Sequence, residues 1–196
     1  MQELFPRVLS FMSKCESGFV SAESAFESAE VVGVYFSGSW CVPCQHFTKK
    51  LAGLYHELKT QGKNMEVVFI SEDEDEERME LYYSDMPWLA LRWADAQRLK
   101  DELQQRYACE SFPHLVLINP RSPSPPITLN GCSAVTCGSA AFPFTPAHTA
   151  SYHRALFRSA LLLLQQQTSP TILGHLLASA AAKRFPLVFS KHTACL

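Results

Sequence analysis

One stretch restricts the possible folds more than any other. Residues 31–36, VVGVYF, are a short apolar run rich in β-branched and aromatic side chains, the pattern of a buried strand. A turn-like SGSW follows, then CVPC. Phe47, Leu51, Leu54, Tyr55 and Leu58 then recur at spacings of three and four, which gives a helix one apolar face. Gly62 is a natural stop for that helix. A buried strand that feeds a cysteine-bearing helix start leaves few architectures open.

The pattern continues in alternation. Residues 65–70, MEVVFI, predict a second buried strand, and the acidic run Glu72 to Glu80 a loop opening a helix that ends near Ser84. DMPWLAL is expected as a short apolar connector. Ala96, Leu99, Leu103 and Tyr107 mark one face of another helix, HLVLI at 114–118 a third strand, and NPRSPSPP a turn. ITLNG is expected as a fourth strand ending in a tight turn. This alternation predicts an α/β or α+β sheet covered by helices. Residues 150–165 and 171–183 are two helical patterns rich in Leu and Ala, split by TSP. The expected organisation is an N-terminal segment 1–22, a domain 23–146 and a C-terminal extension 147–196, helical or disordered.

The chain has 196 residues, enough for one domain with something to spare, and 47% hydrophobic residues, enough for a core. The net charge of −2 hides a split. Residues 1–110 hold all nineteen acidic and eleven basic side chains, a net of −8, whereas residues 111–196 hold six basic residues and no Asp or Glu, a net of +6. Neither a secretory signal nor a membrane span is predicted, and the default location is cytoplasmic. The alternatives are a mitochondrial location or attachment to a membrane surface through Arg154, Arg158, Lys183, Arg184 and Lys191 of the tail. The seven cysteines form an odd set that does not suit a disulfide-stapled secreted domain.

Only Cys41 and Cys44 have a spacing that carries a mechanism. Two intervening residues let both sulfurs meet across the first helical turn, where unpaired N–H groups and the helix dipole favour a thiolate. Cys41, nearer the tip, is the expected nucleophile, and Cys44, one turn in, the resolving thiol. Pro43 is tolerated because first-turn N–H groups have no helical acceptor. The competing reading is half of a structural zinc site, which needs a second ligand pair. Cys132 and Cys137 have four residues between them and no paired His nearby, so no metal is expected. Phe112-Pro113 precedes the HLVLI strand. It is either an ordinary edge-strand start or a cis-proline bending the backbone toward a distant site.

YFSGSWCVPC, KNMEVVFIS, YYSDMPWLAL and SFPHLVLINP together resemble the thioredoxin superfamily, and specifically its tryparedoxin/nucleoredoxin branch. The likeness runs from about Val31 to Pro120, with a weaker echo to near residue 144. It implies a thioredoxin-like fold, a central mixed sheet flanked by helices. It also implies a redox-active Cys41–Cys44 pair with no other cofactor, a cis peptide before Pro113, and a substrate groove lined by Trp40, Val42, Pro43, Phe112 and Pro113. The implied activity is dithiol–disulfide exchange on protein disulfides, such as those of peroxiredoxin-type peroxidases, with a trypanothione-like dithiol as reductant. The alternative is a redox-sensitive nucleoredoxin-like binding scaffold with little turnover. No nucleic acid is implied.

This sequence departs from the branch at five positions. Val42 and Gln45 stand where the branch usually has Pro and Arg, Phe112 where it has a smaller residue, Cys132 where it has Arg, and Glu72 where it has Trp. Loss of the cation makes the site less electropositive. Tyr35 takes the place of the buried Asp of ordinary thioredoxins, so proton transfer to Cys44 needs another group, for which Asp73 is the candidate by position. His46 and His114 are further acid–base candidates, with ordinary packing the competing reading. Trp88 and Leu89 are expected in the core, and Cys109 as a small buried residue.

Overall fold

The computed structural model describes residues 10–13 and 18–167. A six-stranded mixed sheet has the order β2-β1-β5-β4-β3-β6. Its strands are β1 (Ser10–Ser13), β2 (Gly18–Ser21), β3 (Val31–Ser37), β4 (Met65–Ser71), β5 (Leu89–Leu91) and β6 (His114–Ile118). The helices are α1 (Ala22–Phe26), α2 (Val42–Thr60), α3 (Glu76–Tyr83), α4 (Trp93–Arg106), α5 (Gly131–Thr136) and α6 (Pro146–Gln167). β3 and β4 run parallel from Val31↔Met65 to Ser37↔Ser71, and β6 is antiparallel to β3.

The sheet separates two cores, and strand alternation decides which side chain enters which. Val31, Tyr35, Met65, Val67, Phe69, Leu115 and Leu117 face the layer of α2, α3 and α5. Val32, Val34, Phe36, Val68, Ile70, Val116 and Ile118 face α1 and α4. Central strands buried on both faces explain the unbroken apolar runs in the sequence. On α2, Cys44, Phe47, Leu51, Leu54, Tyr55 and Leu58 are buried. The helix ends where Gly62 adopts φ +69°, a left-handed conformation that costs glycine little. Asp75 caps α3, its side chain accepting from the Arg78 N–H.

Three elements differ from expectation. DMPWLAL is more than a connector, because Leu89–Leu91 form β5, which pairs with both β4 and β1. The β1–β2 hairpin lies within the segment 1–22 and extends the sheet, with Phe11 packed on Phe26 at 5.4 Å between ring centroids. ITLNG is not a strand. Only Thr128 pairs with Leu117, through N–H···O contacts of 2.9 and 3.2 Å. Pro125 and Pro126 have no N–H to extend such a ladder, and the Asn130 side chain accepts from the Ser133 N–H to start α5. The 127–132 segment still covers the outer edge of β6. Of the tail, α6 covers the expected 150–165 helix, whereas the 171–183 pattern lies outside the described residues. Among the described residues no helix is long and apolar enough to cross a membrane.

Gly131 is where this cover meets the strand. A Cβ built there would lie 2.5 Å from the Leu115 carbonyl oxygen. Gly131→Val should therefore push α5 off β6 and destabilise the fold by about 2 kcal/mol or more. Urea unfolding of wild type and variant would show this as a lower midpoint at unchanged slope.

Candidate functional site

The parallel pairing of β3 and β4 brings the ends of both strands to one edge of the sheet. There the loop 38–41 enters α2, and Cys41 and Cys44 are paired as a disulfide with their Cα atoms 5.1 Å apart. Cys41 is the N-cap of α2, and its sulfur accepts the Cys44 N–H at 3.3 Å. Such a donor, together with a helix N-terminus whose first turn holds no acidic residue, favours negative charge on that sulfur. Cys41 is 8% exposed and Cys44 fully buried, so Cys41 is the sulfur a partner meets first.

The Phe112–Pro113 peptide is cis, and the Phe112 carbonyl oxygen lies 3.9 Å from the Cys41 sulfur. Trp40 is 55% exposed and meets the Phe112 ring edge-to-face at 6.1 Å. Val42 is also exposed beside the disulfide. The structure thus brings Trp40, Val42, Pro43, Phe112 and Pro113 around the disulfide.

Loop 38–41 is pinned from the β4 side. The Trp40 indole N–H donates to the Glu72 carbonyl at 3.0 Å. Asp73, 3% exposed, accepts the Ser39 N–H at 2.7 Å through one carboxylate oxygen and the Ser71 hydroxyl at 2.7 Å through the other. Both oxygens of the expected proton carrier are therefore occupied, one by the 38–41 loop and the other by the end of β4. Gln45 donates to the Ser39 carbonyl at 2.6 Å from the helix side. Gly38 gives the indole room, since a Cβ there would lie 2.6 Å from Trp40 Nε1.

Behind Cys44 lies a chain of hydroxyls that sequence reasoning missed apart from Tyr35. Thr48 donates to the Cys44 carbonyl at 2.9 Å, and its oxygen also lies 2.8 Å from Tyr35 Oη and 2.7 Å from Tyr82 Oη. Ser37 Oγ continues the chain to Tyr82 at 3.1 Å. Burial holds the Tyr35 phenol well above its ordinary range, with Tyr82 adding to the effect, so Tyr35 works as a neutral hydrogen-bonding group. Thr48 was findable, because it lies four residues after Cys44 on the buried face of α2.

The neighbouring groups have other tasks. Burial raises the Glu72 carboxyl, and its side chain accepts from Gln104 at 2.6 Å. Half-buried Cys109 is pushed up to about 12 by burial and by the charge of Glu72, which keeps it a thiol. Cys132 is buried and its thiol donates to the Pro113 carbonyl at 3.5 Å. His114 turns to the Tyr107 carbonyl at 3.2 Å, and His46 has an exposed position on α2. Trp88 lies in the core as expected, between the rings of Tyr35 and Tyr55. Among the described residues no group of three His, Cys, Asp or Glu side chains could hold a metal. Cys15 and Cys195 lie outside the described residues.

Burial lowers the His114 pKa from the ordinary 6.5, against the pull of its bond to Tyr107. The folded state then prefers the neutral ring, so its contribution is complete above about pH 6.5 and is lost as pH falls toward the folded pKa. Thermal unfolding followed between about pH 7.5 and about pH 5 should fall less steeply in His114→Gln than in wild type.

Residues 29–122 match the thioredoxin-like family model. Tryparedoxin of Trypanosoma brucei brucei is 42% identical over 119 residues, covering 61% of this chain and 78% of its own. The solved tryparedoxin from Trypanosoma brucei superposes with a TM-score of 0.65 at 36% identity, covering 73% of this chain and 96% of that one. A tryparedoxin II complexed with glutathionylspermidine gives a TM-score of 0.59 at 31% identity over 69% of this chain and 90% of that one. Human nucleoredoxin is 39% identical over 101 residues, 52% of this chain; the match spans 23% of nucleoredoxin's length.

Proposed function

This chain belongs to the thioredoxin-like family, and from that premise we propose that it reduces protein disulfides through a Cys41–Cys44 dithiol/disulfide cycle. The observation that carries the reading is the Cys41 sulfur at the tip of α2, facing the Phe112 carbonyl beside cis-Pro113. In the reduced protein the Cys41 thiolate attacks one sulfur of a substrate disulfide. The substrate S–S bond breaks, a mixed disulfide forms, and the first substrate thiolate leaves and takes a proton from water. Cys44 then attacks the Cys41 sulfur, releases the second substrate thiolate and restores the Cys41–Cys44 disulfide. Two electrons have passed to the substrate, and an external dithiol returns them. Trp40, Val42, Pro43, Phe112 and Pro113 form the docking rim, where an extended substrate backbone lies along Phe112.

Asp73 acts in this reading as a positioning residue for the 38–41 loop, with water as the proton carrier for Cys44. Peroxiredoxin-type peroxidases are the proposed class of protein substrate, and a trypanothione-like dithiol the proposed reductant; the bound ligand of the similar tryparedoxin II supports the latter. The proposed location is cytoplasmic, where reducing conditions keep such a pair cycling. Insulin-disulfide reduction driven by a small dithiol tests the activity. Wild type should turn over and Cys41→Ser should fall to background, whereas equal rates in both would refute the proposal.

A second reading, a redox-sensitive scaffold of the nucleoredoxin kind, is favoured by one observation. The edge-to-face Trp40–Phe112 pair beside Cys41 offers an aromatic surface suited to holding a partner. Cys44→Ser separates the readings. Catalysis predicts that it accumulates mixed disulfides through Cys41, detected by mass spectrometry. A scaffold predicts equal partner retention by the variant with both cysteines replaced by Ser.

A further inference from the structure

At the far end of α5 a second thiol has neighbours the disulfide chemistry does not use. Cys137 is the C-cap of α5, partly buried against the core. Its sulfur lies 3.7 Å from the Ser133 carbonyl oxygen and 3.7 Å from Nε2 of His153 on α6. Both are within reach of a sulfur hydrogen bond, and only the imidazole can carry the proton away. Cys137 and His153 line the same cleft of about 530 Å³, a size suited to a small ligand. Ile127, Ala134, Phe144, Pro146 and Ala150 make much of its wall, and no Lys, Arg, Asp or Glu lines it.

We propose that this cleft is a covalent binding site in which Cys137 adds to an apolar α,β-unsaturated aldehyde, with His153 as proton acceptor. The thiol proton passes to Nε2, and the sulfur bonds to the β-carbon of the alkene. The electron pair of the double bond moves to the α-carbon, which takes the proton back from the imidazolium. One S–C bond forms, one C=C π bond is lost, nothing leaves and no electrons are exchanged with a third party. The wall selects the ligand. An alkyl tail gains by leaving water for the side chains of Ile127, Phe144 and Pro146, whereas a charged disulfide such as oxidised glutathione finds no ionic partner there. The other described thiols are poorly placed to compete, Cys109 because its thiol is held protonated and Cys132 because it is buried.

The test uses the full chain with Cys41–Cys44 oxidised, so that the active-site sulfurs are silent toward the reagent. Nonenal, which has an alkyl tail, and acrolein, which has none, are added separately, and peptide mapping distinguishes Cys137 from Cys15, Cys109, Cys132 and Cys195. The expected result is a nonenal adduct at Cys137 formed about tenfold or more faster than at Cys109. His153→Ala should slow both reagents at Cys137 about tenfold or more, and Ala150→Trp, which fills the cleft, should slow nonenal but not acrolein. Both changes lie on α6, away from the central sheet. The proposal is overturned if Cys137 reacts no faster than Cys109, if His153→Ala leaves its rates unchanged, or if Ala150→Trp affects the two reagents alike. Insulin reduction by Cys137→Ser should match wild type, so failure of this site and failure of the dithiol cycle are read separately.

Discussion

The dithiol end of the molecule depends on the parallel pairing of β3 with β4. Ser37 and Ser71 end the two strands side by side. The residues that follow must then share one corner, whatever their identity. From β3 comes the loop that delivers Cys41 to the tip of α2, and from β4 come Glu72 and Asp73, which grip that loop through the Trp40 indole and the Ser39 amide. The hydrogen bond from the Ser39 amide to Asp73 is partly buried, so losing its acceptor would leave that amide without a partner. The geometry around the sulfur is thus set by strand register first and by side-chain contacts second.

Cys44 is embedded in a different environment from Cys41. One sulfur meets the solvent edge and a backbone donor; the other is backed by Thr48, Tyr35, Tyr82 and Ser37, all uncharged hydroxyls. A tyrosine in place of a carboxylate removes a buried charge whose desolvation would otherwise have to be offset. The same preference for uncharged contacts recurs on the outside of the loop, where Gln45 binds the Ser39 carbonyl.

Much of this was legible in the sequence because the central strands are buried on both faces and the main helix is periodic. VVGVYF, MEVVFI and HLVLI can satisfy such positions in only a few ways, and CVPC at the start of an apolar-faced helix names its own chemistry. What was not legible depended on pairing across long sequence distances. The hairpin of β1 and β2 contains too few residues for an alternation to stand out, and LAL becomes a strand because β4 and β1 offer edges on both sides. ITLNG has strand-like residues, but the prolines before it and the capping Asn130 after it carried more weight than its composition. Asp73 was expected by position as a proton carrier for Cys44, and the structure shows its carboxylate bonded to the Ser39 amide and the Ser71 hydroxyl. Its bonds to Ser39 and Ser71 are set by the fold, and no spacing rule encodes them.

The way the sheet stops at its two sides bears on how the protein behaves when concentrated. An open strand offers a row of amides and carbonyls to any other chain that can extend it. On one side β2 is only four residues long, begins with a glycine at φ +107°, and carries Phe19 beneath the Arg92 guanidinium at 5.8 Å. On the other side β6 is shielded by a single rung at Thr128, by Gly131 pressed on Leu115, and by the Cys132 thiol on Pro113. Among the described residues neither border presents a long flat template, which disfavours sheet-to-sheet pairing without a complete extra strand.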